Sequence, residues 1–209
     1  MIGRVEADMV GTTHGDLYAV APGQQVCIAC HAPHRAPSSP LLWNHRLSSN
    51  NFSWSDWTKT TGGTSLPTNI KTWSGSSKAC LSCHDGSVAI GAIYEPNVNF
   101  FNYTMTGSAA RHQIGGLGEL KGNHPVAIPY PYGGVKNTYN GITTGDEALQ
   151  SGWVATPTKV KIYADENTAG PSNRGIECGS CHDPHGTSNS DYLRDTITGS
   201  SLCRNCHAK

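Results

Sequence analysis

The sequence predicts a chain of mostly irregular coil, with few short helices and minimal strand, folded around something other than its own side chains. Its 209 residues include 24 glycines and 12 prolines, and these residues favour turns over long helices or broad sheets. Hydrophobic residues make up only 36 % of the chain, which is little for a protein that has to bury a core of its own. Disulfides, metals or cofactors are therefore expected to fill the interior.

The charge balance argues against several classes of protein. Lys and Arg number 15, and so do Asp and Glu, so the formal net charge is zero. Nucleic-acid-binding proteins usually have a basic excess, and modules that bind anionic membrane surfaces carry polybasic clusters. Disordered chains combine low hydrophobicity with high net charge. No apolar run approaches the roughly 18 residues that a membrane-spanning helix needs.

All eight cysteines fall into four pairs with two residues between the partners, and a histidine follows every pair directly. The pairs are Cys27/Cys30, Cys80/Cys83, Cys178/Cys181 and Cys203/Cys206, and the histidines are His31, His84, His182 and His207. C-x-x-C-H is the attachment motif of c-type haem. The two thiols form thioethers to one porphyrin, and the imidazole binds the iron as its proximal ligand. The sequence therefore predicts four covalently bound haems c.

Three other uses of paired cysteines fit less well. Disulfides would explain the even number of cysteines but not the four adjacent histidines. Zinc would need two C-x-x-C units per ion and gives no reason for a histidine after each. A thioredoxin-like redox motif normally occurs once, beside a βαβ pattern that is absent here.

Six further histidines are candidates for the second axial ligand of the irons, and three methionines are too few for four haems. His34 and His185 occupy matching positions, each three residues after a proximal histidine and directly after a proline. His124 precedes a proline and a short predicted strand, and His14 lies in a loose N-terminal segment. These four are the preferred ligands. His45 and His112 are expected to stack on a haem edge or to bind a propionate, although either could replace one of the four.

Seven segments, GTTHGDL, VCIACHAPH, PLLWN, CLSCHDG, NHPVAIPY, ECGSCHDPHG and LCRNCH, together resemble the doubled-CxxCH tetrahaem cytochromes. The resemblance spans residues 12 to 207. It implies that the distal ligands are the family's recurrent non-proximal histidines, which map onto His14, His34, His124 and His185. The haem count, the chain length and an extra histidine in LWNH are similar to those of OmcE-like subunits, which polymerise into extracellular cytochrome filaments, or nanowires.

Iron that holds two imidazoles has no position open to a substrate, so we expect electron transfer and no enzymatic activity. One tetrahaem domain is expected over residues 1–209. Zero net charge reduces repulsion between copies, and head-to-tail contacts that do not close build a filament. In such a homopolymer the loose segment 1–26 would contact a neighbouring subunit, and His14 would bind a haem there.

Two alternatives stay open. One is a soluble periplasmic shuttle that remains monomeric, and the other is a multihaem reductase with one open haem. Haem c is attached outside the cytoplasm, so we expect a mature, exported chain whose leader has been removed, at the cell surface or in the medium. Redox partners are expected, and nucleic acid is not.

The sequence also predicts local features. Short turns of helix should carry the C-x-x-C-H motifs, a helix should run from about Asp146 to Gly152, and a strand or hairpin arm from Trp153 to Ala164. The five tryptophans are expected to pack against haem or anchor loops. His185 is expected to serve the haem of Cys203 and Cys206, because only a short segment separates them.

Overall fold

A computed structural model describes residues 30–32, 42–69, 72–88, 92, 113–165 and 173–208. Within these ranges most of the chain is coil and turn, which confirms the coil-rich architecture. The helices are α1 (Ser77–His84), α2 (Cys178–Cys181) and α3 (Ser201–Arg204). The strands are β1 (Ile128–Pro129), β2 (Thr138–Tyr139), β3 (Ile142–Thr143), β4 (Tyr163–Ala164) and β5 (Arg174–Ile176). No helix in the described ranges is long and apolar enough to cross a membrane.

Strand β5 lies in the centre of a three-stranded antiparallel sheet with the order β1–β5–β4. Ile128 pairs with Ile176, and Tyr163 pairs with Gly175. β1 is the short strand predicted after His124, and as an edge strand it tolerates Pro129, which lacks an N–H donor. Because β5 leads through one residue into α2, the sheet fixes where the third C-x-x-C-H motif begins.

Strands β2 and β3 form a tight hairpin around Asn140 and Gly141. Both residues have positive φ, 52° and 73°, which a two-residue type I′ turn requires and Asn-Gly accommodates with little strain. The Asn140 side chain donates to the Ala127 carbonyl at 3.0 Å, and its backbone N–H donates to Asp165 Oδ2 at 3.0 Å. These bonds tie the hairpin to the segments that flank the sheet.

The described hydrophobic core is small and aromatic. It consists of Phe52, Trp54, Leu66, Trp73, Leu81, Leu120, Ala127 and Ile128. Leu81 brings α1 into this cluster, and Ile128 brings the sheet. Trp54 and Trp73 are packing residues, as predicted, whereas Trp57 is 52 % exposed.

The helix predicted from Asp146 to Gly152 is a single 3₁₀ turn over Asp146–Leu149. The Glu147 carbonyl accepts from the Gln150 N–H at 3.2 Å and from the Trp153 indole at 2.9 Å. In an α-helix the Glu147 carbonyl would accept from the backbone N–H four residues later. Here the Trp153 indole donates to that carbonyl instead, so the helix ends early.

The strand predicted from Trp153 to Ala164 is wrong over most of its length, since only Tyr163–Ala164 belongs to a strand. Pro157 interrupts the segment because it cannot donate to a strand ladder. Its first residues pair instead with the C-terminal motif: the Val154 N–H donates to the Cys206 carbonyl at 2.9 Å, and the Ala208 N–H donates to the Gly152 carbonyl at 2.8 Å.

Helices α1 and α2 cap each other at their N-termini. The Cys178 N–H donates to Ser77 Oγ at 3.0 Å and the Gly179 N–H to Ser76 Oγ at 3.2 Å. In return, the Ser77 N–H donates to Glu177 Oε2 at 2.9 Å. Helix N-termini leave backbone donors unsatisfied, and each of these two short helices relies on the other to supply acceptors.

Glu177 is the most deeply buried acid of this contact, being 1 % exposed. The Tyr139 hydroxyl donates to its Oε1 at 2.7 Å. Burial raises the pKa of the Glu177 carboxyl to about 7, although hydrogen bonds from Ser77 and Tyr139 act in the opposite direction. An unfolded chain releases this proton near pH 4.3, about the pKa of an ordinary Glu.

We therefore predict that Glu177 makes folding stability fall as the pH rises. The folded chain keeps a proton that the unfolded chain has lost, so the contribution is complete below about pH 4 and is lost as the pH rises to 7, by roughly 3 kcal/mol. Glu177→Gln keeps a neutral hydrogen-bonding side chain and should lack this dependence. Denaturant unfolding of both holoproteins from pH 4 to 8 measures the difference, and parallel stability curves would contradict the prediction.

Candidate functional site

Three of the four C-x-x-C-H motifs lie on helical turns, as predicted. α1 carries Cys80, Cys83 and His84, α2 carries Cys178 and Cys181, and α3 carries Cys203. Residues three apart on a helix share a face, so both thiols of a motif project to one side, as attachment to a single porphyrin requires. In the first motif Cys30 lies in a turn, and Cys27 lies outside the described residues.

The cysteines of successive motifs lie close to one another. A hydrogen bond with the Cys178 thiol is the main cause that raises the pKa of Cys80 well above that of an ordinary thiol, and burial adds to it. The same hydrogen bond lowers the pKa of Cys178. Cys30 acts electrostatically on Cys83, and Cys206 acts on Cys181. The second and third motifs are thus in direct contact, and the first and fourth each lie near their neighbour in the chain.

The surroundings of Cys83 and Cys181 disfavour the thiolate form. Burial, with a smaller effect of Cys30, raises the pKa of Cys83 to about 12. Burial, followed by the effect of Cys206, raises the pKa of Cys181 to about 11. Zinc binds thiolates, whereas a thioether sulfur carries no charge, so these environments suit haem attachment better than zinc.

Within the described ranges, no three His, Cys, Asp or Glu side chains converge as a cation site. No disulfide joins Cys80, Cys83, Cys178, Cys181, Cys203 or Cys206.

Three described histidines that could serve a haem are oriented by backbone carbonyl groups. His45 Nδ1 lies 2.9 Å from the Arg46 carbonyl oxygen. His182 Nδ1 lies 2.8 Å from the Asp191 carbonyl oxygen, and His124 Nδ1 lies 2.8 Å from that of Pro125. A carbonyl oxygen can only accept, so each Nδ1 carries the hydrogen and Nε2 keeps the lone pair. Iron-binding and other metal-binding imidazoles are commonly fixed in this way.

His45 lies against the second motif. It is 1 % exposed, and its Nε2 lies 3.4 Å from Cys83 Sγ. A haem attached at this motif would have its thioether sulfur beside His45, which is the haem-edge contact that the sequence predicts for this residue.

The fourth motif is packed against an aromatic side chain. The His207 ring centre lies 4.6 Å from that of Trp153, and the two residues form an isolated backbone bridge. Tyr130 is fully buried nearby and donates from its hydroxyl to the Val154 carbonyl at 2.6 Å. Trp153 therefore anchors the histidine of this motif, in line with the loop-anchoring role predicted for the tryptophans.

Several buried donors have no acceptor within the described part of the chain. They are the indole nitrogens of Trp43, Trp54 and Trp73 and the Nε of Arg174. Buried polar groups in folded proteins are normally hydrogen-bonded, and haem brings two propionates, which accept hydrogen bonds. Unpaired donors, neutral thiols on one helix face and oriented imidazoles together fit a c-type haem.

The predicted distal ligands are only partly within the described ranges. His124 and His185 are described, and the His185 ring faces that of His31. His14, His34 and His112 lie outside the described residues. Sequence reasoning missed Asp183, which lies 3.3 Å from His185 Nδ1; its signal was an acid two positions before a candidate ligand.

Comparison with known families concerns the end of the chain. Residues 170–209 match the family model described as the doubled CXXCH motif. The match contains the third and fourth motifs and supports a multihaem c-type cytochrome family. The C-x-x-C-H motifs support covalently bound c-type haem in an electron-transfer cytochrome. No curated protein matches the chain.

We predict opposite spectroscopic results for two histidine substitutions. His124→Ala should convert one haem to a high-spin form, because it removes the oriented Nε2. His45→Ala should leave every iron low-spin and lower the melting temperature, because it leaves a cavity beside Cys83. Optical and low-temperature EPR spectra of the two holoproteins distinguish these effects, and a high-spin haem in His45→Ala would show that His45 is a ligand.

Proposed function

We propose that this protein conducts electrons through four c-type haems, each bound by two histidines, as the subunit of an extracellular cytochrome filament. The closeness of successive motifs is the observation that carries the proposal: the second and third meet through the Cys80–Cys178 hydrogen bond, and the first and fourth lie near their neighbours in the chain. Porphyrins attached at neighbouring sulfurs are themselves neighbours, so an electron can pass along the series without leaving the protein.

The haem supplies reversible one-electron oxidation and reduction of its iron, and the chain supplies position and ligation. His182 and His124 present Nε2 because carbonyl groups hold their Nδ1–H. Two strong imidazole ligands per iron leave no coordination position for a substrate and favour a low potential compared with a His/Met pair. These features support electron transfer over a reductase.

The filament rests on two properties of the sequence. The polypeptide has a formal net charge of zero, so it adds little long-range repulsion between identical subunits. His14 precedes the first motif by 13 positions, a length of chain that can reach a neighbouring subunit. Coordination of that subunit's haem by His14 would build iron ligation into a head-to-tail contact, which propagates when its rotation does not close.

Haem content and spin state test the proposed ligation directly. Purified holoprotein should carry four covalent haems, counted by pyridine haemochrome and intact mass, and its spectra should be entirely low-spin. Cyanide and nitrite should leave them unchanged, because no ligand position is open. A high-spin band that shifts on addition of either anion would instead favour the multihaem reductase.

The assembly state of the holoprotein tests the proposed filament. Negative-stain microscopy should show filaments of the wild-type holoprotein, and cells should present the haem-staining protein at the surface or in the medium. His14→Ala should abolish filaments and leave one haem high-spin, whereas His112→Ala, a matched loss of a histidine, should do neither. Monomeric, low-spin wild-type protein retained in the periplasm would favour the soluble shuttle, and unchanged His14→Ala filaments would remove His14 from the interface.

A further inference from the structure

Two imidazole rings from opposite ends of the chain lie opposite each other. His31 follows the first cysteine pair, and His185 lies in the loop after α2. Their ring centres are 6.1 Å apart, and the ring planes make an angle of 16°. This arrangement brings together residues that are far apart in the sequence and joins the first motif to the C-terminal doubled motif.

The separation matches that of two imidazoles that bind one metal ion from opposite sides. A metal–imidazole bond is about 2.0 Å long, and the coordinating nitrogen lies about 1.1 Å from its ring centre, so two opposed ligands have ring centres about 6.2 Å apart. The observed 6.1 Å agrees with this value. A near-parallel orientation of the rings is compatible with both imidazoles lying along one axial direction.

Neighbouring side chains orient His185 as a ligand. Its Nδ1 lies 3.3 Å from Asp183 Oδ1, and its backbone N–H donates to the same oxygen at 3.2 Å. Arg194 Nη1 donates to the other oxygen of Asp183 at 3.0 Å. A carboxylate that holds Nδ1–H fixes the tautomer in which Nε2 binds metal and increases the basicity of that nitrogen.

His31 is fixed by backbone pairing on both sides. The Asn44 N–H donates to the Cys30 carbonyl, and the Ala32 N–H donates to the Leu42 carbonyl, both at 2.8 Å. The Trp43 ring meets the His31 ring edge-on at 6.2 Å. The buried Trp43 indole nitrogen, which lacks an acceptor among the described residues, lies beside this site and suits a haem propionate.

We propose that His31 and His185 are the two axial ligands of one iron, that of the haem attached at the first C-x-x-C-H motif. The assignment rests on the haem binding proposed above and specifies its ligand set. It replaces the pairing of His185 with the fourth motif that sequence proximity suggested. His182 and His185 then serve different irons although only two residues separate them, which makes the first and third haems neighbours as well.

A cycle of two substitutions tests the pairing. His185→Ala should leave four haems attached and convert one haem in four to a high-spin form, and added imidazole should restore the low-spin spectrum. In a His31→Ala background, His185→Ala should add no further high-spin haem, because both residues serve the same iron. Ligands of different irons would instead produce high-spin haem additively, and this outcome would overturn the pairing.

Two controls define the readout. His124→Ala should add one high-spin haem in either background, because it is predicted to serve another iron. Thr187→Ala removes a hydroxyl that donates to the Asn189 carbonyl in the same loop and should leave all irons low-spin. A high-spin haem in Thr187→Ala would mean that disturbance of the loop, rather than loss of a ligand, explains the His185 result.

Measurements on single variants and on wild-type protein keep the proposal testable if the double variant does not fold. The low-spin EPR signal that His185→Ala removes should be rhombic, as near-parallel imidazole planes require. An iron-edge anomalous difference map of wild-type crystals should place one iron between the two rings. Iron elsewhere, with the rings in direct contact, would overturn the pairing, whereas wild-type protein without covalent haem would overturn the proposed function itself.

Discussion

The mutual capping of α1 and α2 is the contact on which the rest of the described structure depends. These helices are eight and four residues long, and isolated helices of such length are marginal in water. Ser76 and Ser77 supply acceptors to α2, and Glu177 supplies one to α1. The contact places the second and third cysteine pairs side by side and holds the sheet, through β5, against the helix that contributes Leu81 to the core.

This arrangement explains how a chain with little hydrophobic content keeps a defined shape. Its described core contains eight buried hydrophobic residues, and many of its remaining buried side chains are polar: Asn44, Asn137, Thr64 and Glu177 are each at most 1 % exposed. Side-chain hydrogen bonds to backbone groups, such as those of Asn140, stabilise this fold in place of the long strands found in other proteins. Covalent haem would add apolar surface and cross-links where side chains are few.

The sequence was informative where chemistry imposes spacing and less informative where distant segments meet. Short helical turns are predicted at all four motifs. They are present at Cys80, Cys178 and Cys203, whereas Cys30 lies in a turn and Cys27 is outside the described residues. The Asn140-Gly141 pair is a strong hairpin signal that was overlooked. The strand expected from Trp153 failed because its partner is the end of the chain near Cys206, a contact that no local pattern contains. The position of His185 beside His31 is non-local for the same reason.

The reciprocal caps also impose an order on maturation. Glu177 follows Ser77 by 100 residues, so the Ser77 N–H has this acceptor only once that later segment has been made. Docking of α2 then brings Cys178 to the Cys80 thiol. A haem bound at Cys80 and Cys83 would therefore have to be attached before this contact closes.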